Sequence, residues 1–437
     1  VHDAAQNTPV VNAGDAARRR KIRRNPPNLL IRQPKQITHG RALLPNPESR
    51  RAASGQATLW VLTLDNILVQ RLAEGTHWRH LPAHNDTLVV FYAPVKIKAG
   101  ILPHYKRTEG LPTGRLLINP GTDEFYQDCR EEILKIVAKI SADYRETIHY
   151  GYSQGATGAL DIGLSDPKCS AIFAMSPHLV LDRPWSRSAV LMSPGTLAQP
   201  RENMLDRIRS STNRDIHLFI SCMDSEDGVQ VRDARTLADT DAHIYFLNLM
   251  HDLPGVHNPE GVIQDYLATR KYTLPPGVVI ASEQDQKVAM LSFDVRAAGS
   301  GKTELPAALL AEAEVLHYSG LAYWLGQYFT GRKEYNLALL HFMRSIAIGR
   351  QRGTDIYSRL VCAGNVASVM GLSEMALGFY RQARRIWPKA LTAWNCEANV
   401  LRSLKRKSEL LTLAEQCAAA GCDAETVEKI KKRAEGL

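Results

Sequence analysis

The stretch that most constrains this chain is Ile148-His149-Tyr150-Gly151-Tyr152-Ser153-Gln154-Gly155-Ala156. A strand-like run feeds into two glycines that bracket one serine, and a segment rich in Ala, Gly and Leu follows as far as Leu164. Glycine at both places removes the Cβ atoms that would hold the incoming strand and the outgoing helix apart. The spacing predicts a strand over 146–152, a tight turn with Ser153 at its apex, and a helix over 155–164. Such a turn needs a sheet beneath it and helices on the sheet's faces.

The flanking sequence supplies both. Residues 58–64 read as an edge strand, and 87–93 (Thr-Leu-Val-Val-Phe-Tyr-Ala) is a nearly continuous apolar run, as a strand buried on both faces should be. Residues 115–119 form another. A helical stripe of Phe125, Cys129, Ile133, Ile136, Val137 and Ile140 runs through 123–144, and further strands are expected at 170–176, Asp215–Ser221 and 243–249. Strands alternating with helices imply right-handed crossovers and a mainly parallel α/β sheet with ligands at the strands' carboxyl ends.

Gly151-Tyr152-Ser153-Gln154-Gly155-Ala156 resembles the nucleophile elbow of serine hydrolases of the α/β-hydrolase fold, cutinase-like and carboxylesterase-like members included. Residues 57–273 are similar to that superfamily at the level of fold and elbow. The resemblance implies a carboxylic ester hydrolase or acyltransferase in which Ser153 attacks an acyl carbonyl, followed along the chain by an acid and then a histidine. The acid is expected in Cys222-Met223-Asp224-Ser225-Glu226-Asp227-Gly228. Asp224 lies three residues beyond Ser221 and Asp227 just before a helix expected near Val229; both stay open, and the one not used is expected to cap the helix. His257 follows Pro254-Gly255-Val256 in a loop entering a helix, resembles the Pro-Gly-x-x-His loops of many members, and is the first choice of general base; His251, which directly ends the last strand, is the alternative. The oxyanion hole is expected from the backbone N–H of Gln154 and that of Tyr92 or Ala93, since Pro94 has none to give. His178, which ends a strand beside the site, reads as a loop histidine, with contact to substrate as the alternative. Segment 179–214, with Trp185 and several arginines, is the one stretch long enough to cover the site and is expected to shape its pocket.

After position 273 the alternation stops. Residues 274–306 are expected to hold one short strand pair and then a linker. Ala298-Gly299-Ser300-Gly301-Lys302-Thr303 looks like the end of a phosphate-binding loop, but the first glycine of that motif would fall at Arg296, so it reads as linker. Residues 307–437 are helical and repeat: Ala376 to Leu410 and Ala383 to Cys417 are each 34 residues apart, the tetratricopeptide period. A first repeat around Gly331 is offset by four residues, which a longer turn at Gly353-Thr354 can absorb, and the last helix, 424–434, reads as a solvating cap. A tetratricopeptide-like domain implies a protein partner or self-association. Similar pairings with a Ser-x-Gly α/β domain occur in bacterial surface-polysaccharide assembly, so the expected substrate is an ester-containing small molecule or an acylated glycan. The alternative is a non-catalytic scaffold with a degenerate hydrolase domain.

Composition bounds the rest. A chain of 437 residues divides into two or three domains, here an N-terminal arm over 1–56, the α/β region, and the linker and helices. The net charge of +9 owes much to Arg18-Arg19-Arg20-Lys21-Ile22-Arg23-Arg24, read as a solvated, disordered arm with an anionic surface as its alternative partner. No aromatic residue interleaves with these charges, so nucleic acid is not expected. No run of about 18 apolar residues suggests a membrane span. Seven scattered cysteines argue for reduced thiols and a cytoplasmic setting. No cofactor is expected, and His39, His77, His80 and His84 lack metal-ligand spacing.

Overall fold

The computed structural model describes residues 59–62, 68–71 and 76–437, excepting 213 and 302. The basic cluster and His39 lie outside them. In chain order the described strands are β1 (Leu59–Leu62), β2 (Leu68–Arg71), β3 (His77–Leu81), β4 (Thr87–Tyr92), β5 (Gly114–Asn119), β6 (Glu146–Tyr152), β7 (Cys169–Met175), β8 (Asp215–Ser221) and β9 (His243–Leu247). They form one sheet in the order β1-β2-β3-β5-β4-β6-β7-β8-β9. The first three are antiparallel and β3 pairs antiparallel with β5; every pair from β5 to β9 is parallel. β2 and β3 were not anticipated: His77-Trp78-Arg79-His80-Leu81 has neither a long apolar run nor clean alternation.

The central strand β4 is buried at every residue because helices cover both faces. Leu88, Val90 and Tyr92 belong to a core shared with α1 (Arg130–Ser141), α2 (Gln154–Ser165), α5 (Met204–Arg209) and α6 (Gly228–Arg235); two short helices, α3 (Arg187–Leu191) and α4 (Pro194–Leu197), lie outside it. Val89 and Phe91 face the other way, with Tyr150, Phe173, Phe219 and the buried side of α7 (Pro259–Thr269). The helix expected over 123–144 is confined to α1. Phe125 and Tyr126 stand at φ 54° and 67°, outside helical space, so the apolar stripe continues while the backbone does not.

The stretch expected as a linker is corrected in two ways. It holds a single bridge, Leu247 to Ile280, in place of a strand pair, and then α8 (Glu283–Gly301), a 19-residue helix that includes the glycines of the supposed phosphate loop. α8 packs on α6, on α9 (Ala307–Val315) and on α10 (Ser319–Gly331), joining the two regions. Its Asp294 pairs with Arg232 at 2.6 Å and its Gln286 accepts from Arg235 at 2.7 Å.

Beyond α10 come α11 (Tyr335–Gln351), α12 (Tyr357–Val369), α13 (Ser373–Ile386), α14 (Leu391–Ser403), α15 (Lys407–Ala419) and α16 (Ala424–Glu435), each packed on the next. α12 and α14 begin 34 residues apart, as do α13 and α15. The extra four residues of the first pair lie in the longer α11 and the turn after it. Ala376, Ala383, Leu410 and Cys417 are all fully buried, and Gly326 and Gly364 lie against the rings of Phe342 and Tyr380. Small residues at helix contacts let the axes approach.

Candidate active site

The turn between β6 and α2 takes the expected form. Ser153 has φ 56° and ψ −122°, a conformation that L-residues avoid at a cost of roughly 1–3 kcal/mol. The bracketing glycines explain how the turn is built. A Cβ on Gly151 would collide with the carbonyl of Gly155, and one on Gly155 with the carbonyl of Tyr92. Ser153 is tied to the neighbouring strand by its N–H, which donates to Met175 O at 2.7 Å.

Two loops bring partners to its side chain. After β9 the chain is stapled to the ends of β7 and β8: Ser176 Oγ donates to His251 O at 2.7 Å and Ser221 Oγ to Leu249 O at 2.8 Å. His251 Nε2 thereby stands 3.0 Å from Ser153 Oγ. On its other edge Nδ1 lies 2.7 Å and 3.0 Å from the two oxygens of Asp227. A carboxylate only accepts, so Nδ1 carries the hydrogen and Nε2 is left to accept from the serine hydroxyl. Asp227 occupies the N-cap position of α6 but makes no capping bond; its carboxylate is committed to the ring. All three residues are buried. A hydroxyl, a neutral imidazole and a carboxylate in this line can generate a nucleophile and hold the proton it gives up.

The structure does not bring the other two candidates to the serine. Asp224 accepts from the N–H of Glu226 at 2.9 Å and pairs with Arg187 at 3.3 Å. His257, the first choice from sequence, hydrogen-bonds through Nδ1 to Tyr150 Oη at 2.8 Å, and burial followed by Arg107 lowers its pKa to about 4. One ring separates it from His251: Tyr152 lies 4.7 Å from His257 and 5.6 Å from His251, centroid to centroid. The loop after β4 also departs from expectation. Ala93 N–H donates to Ile118 O at 2.9 Å and so completes the sheet, while Tyr92 lies within the strand paired on both sides. Lys96 N–H donates to Asp123 at 2.8 Å. Val95, between these positions, went unnamed in the sequence reading. Gln154 opens α2, where the first N–H groups have no helical acceptor.

Segment 179–214 lies beside this centre. Leu181 and Met192 pack with Phe125, and Val95 joins them. Arg187 at the start of α3 grips the acid loop, donating to Glu226 at 2.8 Å as well as pairing with Asp224. Burial would lower the Arg187 pKa, but Asp227, Glu226 and Asp224 together raise it. A cavity of about 720 Å³ runs beside α2, bordered by Arg130, Asp161, His178, Arg201 and Arg207; neither Ser153 nor His251 borders it. Among the described residues no cluster of three or more His, Cys, Asp or Glu is placed to hold a metal. No described helix is long and apolar enough to cross a membrane. None of the seven cysteines is in a disulfide.

No protein-family model matches the chain. No curated protein matches it either. Solved structures similar to it include an esterase of Pyrococcus furiosus, 13% identical over 53% of this chain and 98% of its own, with a TM-score of 0.33. Others are an alpha/beta superfamily hydrolase of Oenococcus oeni (12% identity, 46% of this chain and 98% of that one, TM-score 0.33) and an esterase domain of a Rhodothermus marinus protein (13%, 49% and 98%, TM-score 0.34).

Proposed function

We propose that this chain is a serine-dependent carboxylic ester hydrolase or acyltransferase, with Ser153 as nucleophile, His251 as general base and Asp227 as the acid that orients it. One observation carries the reading: the 3.0 Å contact of His251 Nε2 with Ser153 Oγ, on a serine at φ 56°. Ser153 Oγ attacks the acyl carbonyl as its proton passes to His251 Nε2, and Asp227 stabilises the imidazolium. The tetrahedral oxyanion is met by the N–H of Gln154 and that of Val95, since Ala93 N–H is already used in the sheet. Each such donor is worth about 3 kcal/mol in the transition state. Collapse expels the alcohol, protonated by His251, and water or a second alcohol then releases the acyl group from Ser153.

The helical pairs act as a tetratricopeptide-like docking surface. Leu340 and Met343 of α11, Val369 of α12, Met375 of α13 and Trp387 just beyond it are exposed apolar residues of these pairs. The test of the catalytic reading is labelling with a fluorophosphonate probe followed by peptide mapping. A stoichiometric adduct on Ser153, absent in Ser153→Ala, is expected. Folded protein that takes up no probe would overturn the reading in favour of a scaffold.

A further inference from the structure

His178 lies three residues beyond the end of β7, and its backbone is clamped over the first turn of α2. Its N–H donates to Thr157 Oγ1 at 3.0 Å, and the Thr157 hydroxyl contacts the His178 carbonyl at 3.3 Å. The side chain is 1% exposed. Its ring meets two others edge on: Phe125 at 4.9 Å and His251 at 6.2 Å between centroids. It therefore stands against the base of the proposed triad.

Its tautomer follows from a neighbour. Gln230, buried on α6, accepts the N–H of Leu179 with Oε1 at 2.8 Å, which fixes the amide so that Nε2 faces His178 Nδ1 at 3.5 Å. An amide nitrogen only donates, so Nδ1 accepts and the neutral ring carries its hydrogen on Nε2. Burial, then His251 and Arg187, hold the ring neutral by lowering its pKa far below the ordinary value. Nε2 is buried and has no hydrogen-bond partner among the described residues. A buried donor without a partner is costly, and beside an active centre it waits for a ligand acceptor.

We propose that His178 binds the alcohol half of the ester, its Nε2–H donating to an oxygen on the leaving alcohol beyond the scissile bond. This rests on the hydrolase reading above. The sheet order gives the side. β4, which leads to the oxyanion donor, and β7, which leads to His178, flank β6 on opposite sides, and the loops carrying Asp227 and His251 leave the strands beyond β7. The carbonyl oxygen points to the β4 side, and the departing oxygen to the side from which His251 returns the proton. A donor there selects an alcohol that carries further oxygen, as in a polyol or sugar ester, over an alkyl alcohol.

The test compares two esters with one acyl group, glycerol monobutyrate and propyl butyrate, on the full chain. The intact protein is expected to prefer the glycerol ester in kcat/KM by about tenfold or more, the discrimination a buried donor can provide. His178→Phe keeps the ring and removes the donor; it should lower kcat/KM for the glycerol ester about ten- to a hundredfold and for the propyl ester by less than about threefold. His178→Gln should restore part of the difference. Should His178→Phe fail to fold, His178→Met carries the same comparison. Equal losses on both esters, no loss on either, or cleavage of neither would overturn the assignment. Fluorophosphonate labelling separates the two readings: an unlabelled Ser153 in the intact protein sinks the hydrolase reading itself, whereas full labelling with no discrimination sinks only the role of His178.

Discussion

Replacing each of the two histidines near the elbow in turn distinguishes geometry from sequence motif. His251 Nε2 is 3.0 Å from Ser153 Oγ, whereas His257 Nδ1 is already bonded to Tyr150 Oη and the Tyr152 ring lies between His257 and His251. In the proposed mechanism His251→Ala removes the group that receives the serine proton, a contribution of about 10²- to 10⁴-fold. At 1.36 kcal/mol per decade this raises the barrier by roughly 3–5 kcal/mol. His257→Phe keeps an aromatic ring against Tyr152 and forfeits one hydrogen bond, about 1 kcal/mol of stability. Its second-order rate of fluorophosphonate labelling should therefore stay within about threefold of the intact protein, the factor left for a small shift of Tyr152. The assay is that labelling rate at pH 7.5, read by intact mass with thermal melts run alongside. Labelling lost in folded His257→Phe and retained in His251→Ala would refute the assignment.

Asp227→Asn should slow labelling about 10³- to 10⁴-fold by releasing the His251 tautomer, while Asp224→Asn, whose carboxylate bonds the Glu226 N–H and Arg187, should slow it less than about tenfold; similar losses in both would contradict the placement of the acid. Gly155→Ala drives a methyl into the Tyr92 carbonyl and should lower the melting temperature by several degrees, about 2 kcal/mol or more, and a variant that melts with the intact protein would show that the close approach is not needed. His217 stacks on Phe173 at 4.6 Å, and burial followed by His243 lowers its pKa to about 4 against 6.5 in the unfolded chain. The unfolded state therefore takes up the proton first as pH falls, so this stabilisation is complete above pH 6.5, declines through the window down to about 4 and amounts to at most about 3 kcal/mol; His217→Phe should flatten urea-unfolding stability across that window.

The features legible in the sequence were those whose chemistry is local. The elbow could be read because Gly151 and Gly155, which bracket Ser153, must be glycines for steric reasons, and β4 because burial on both faces demands an unbroken apolar run. α8 escaped notice for the opposite reason. It is packed on several sides at once, with Gln286, Val288, Leu291, Ser292, Phe293 and Val295 all buried, so its apolar residues form no single stripe and its last residues resemble a loop. The placement of the histidine was decided at a distance. Hydroxyls of Ser176 and Ser221, on two other strands, pull the loop after β9 over the elbow, and nothing near His251 in the sequence records them. The carbonyl-bound N–H of Ala93 is equally invisible, because the acceptor belongs to Ile118 on a strand that follows it.

The acid loop is where the two halves of the chain meet. Glu226, one residue before Asp227, accepts from Arg187 of α3 at 2.8 Å and from Arg296 of α8, also at 2.8 Å. Arg296 in turn lies over the Trp324 ring of α10, 5.5 Å from its centroid, and donates to the carbonyl of Trp185. One carboxylate thus links α3, the loop before α6 and, through Arg296, helices α8 and α10. These ion pairs are partly exposed, so each contributes little to global stability. Their effect falls on position: a carboxylate held by two guanidiniums fixes the loop in register with His251, where displacements of about 1 Å cost up to a hundredfold in rate. Arg296→Ala should therefore slow Ser153 labelling by about tenfold while moving the melting temperature by no more than about two degrees. A large drop in melting temperature with labelling unchanged would mean that the residue braces the helices and leaves the site alone.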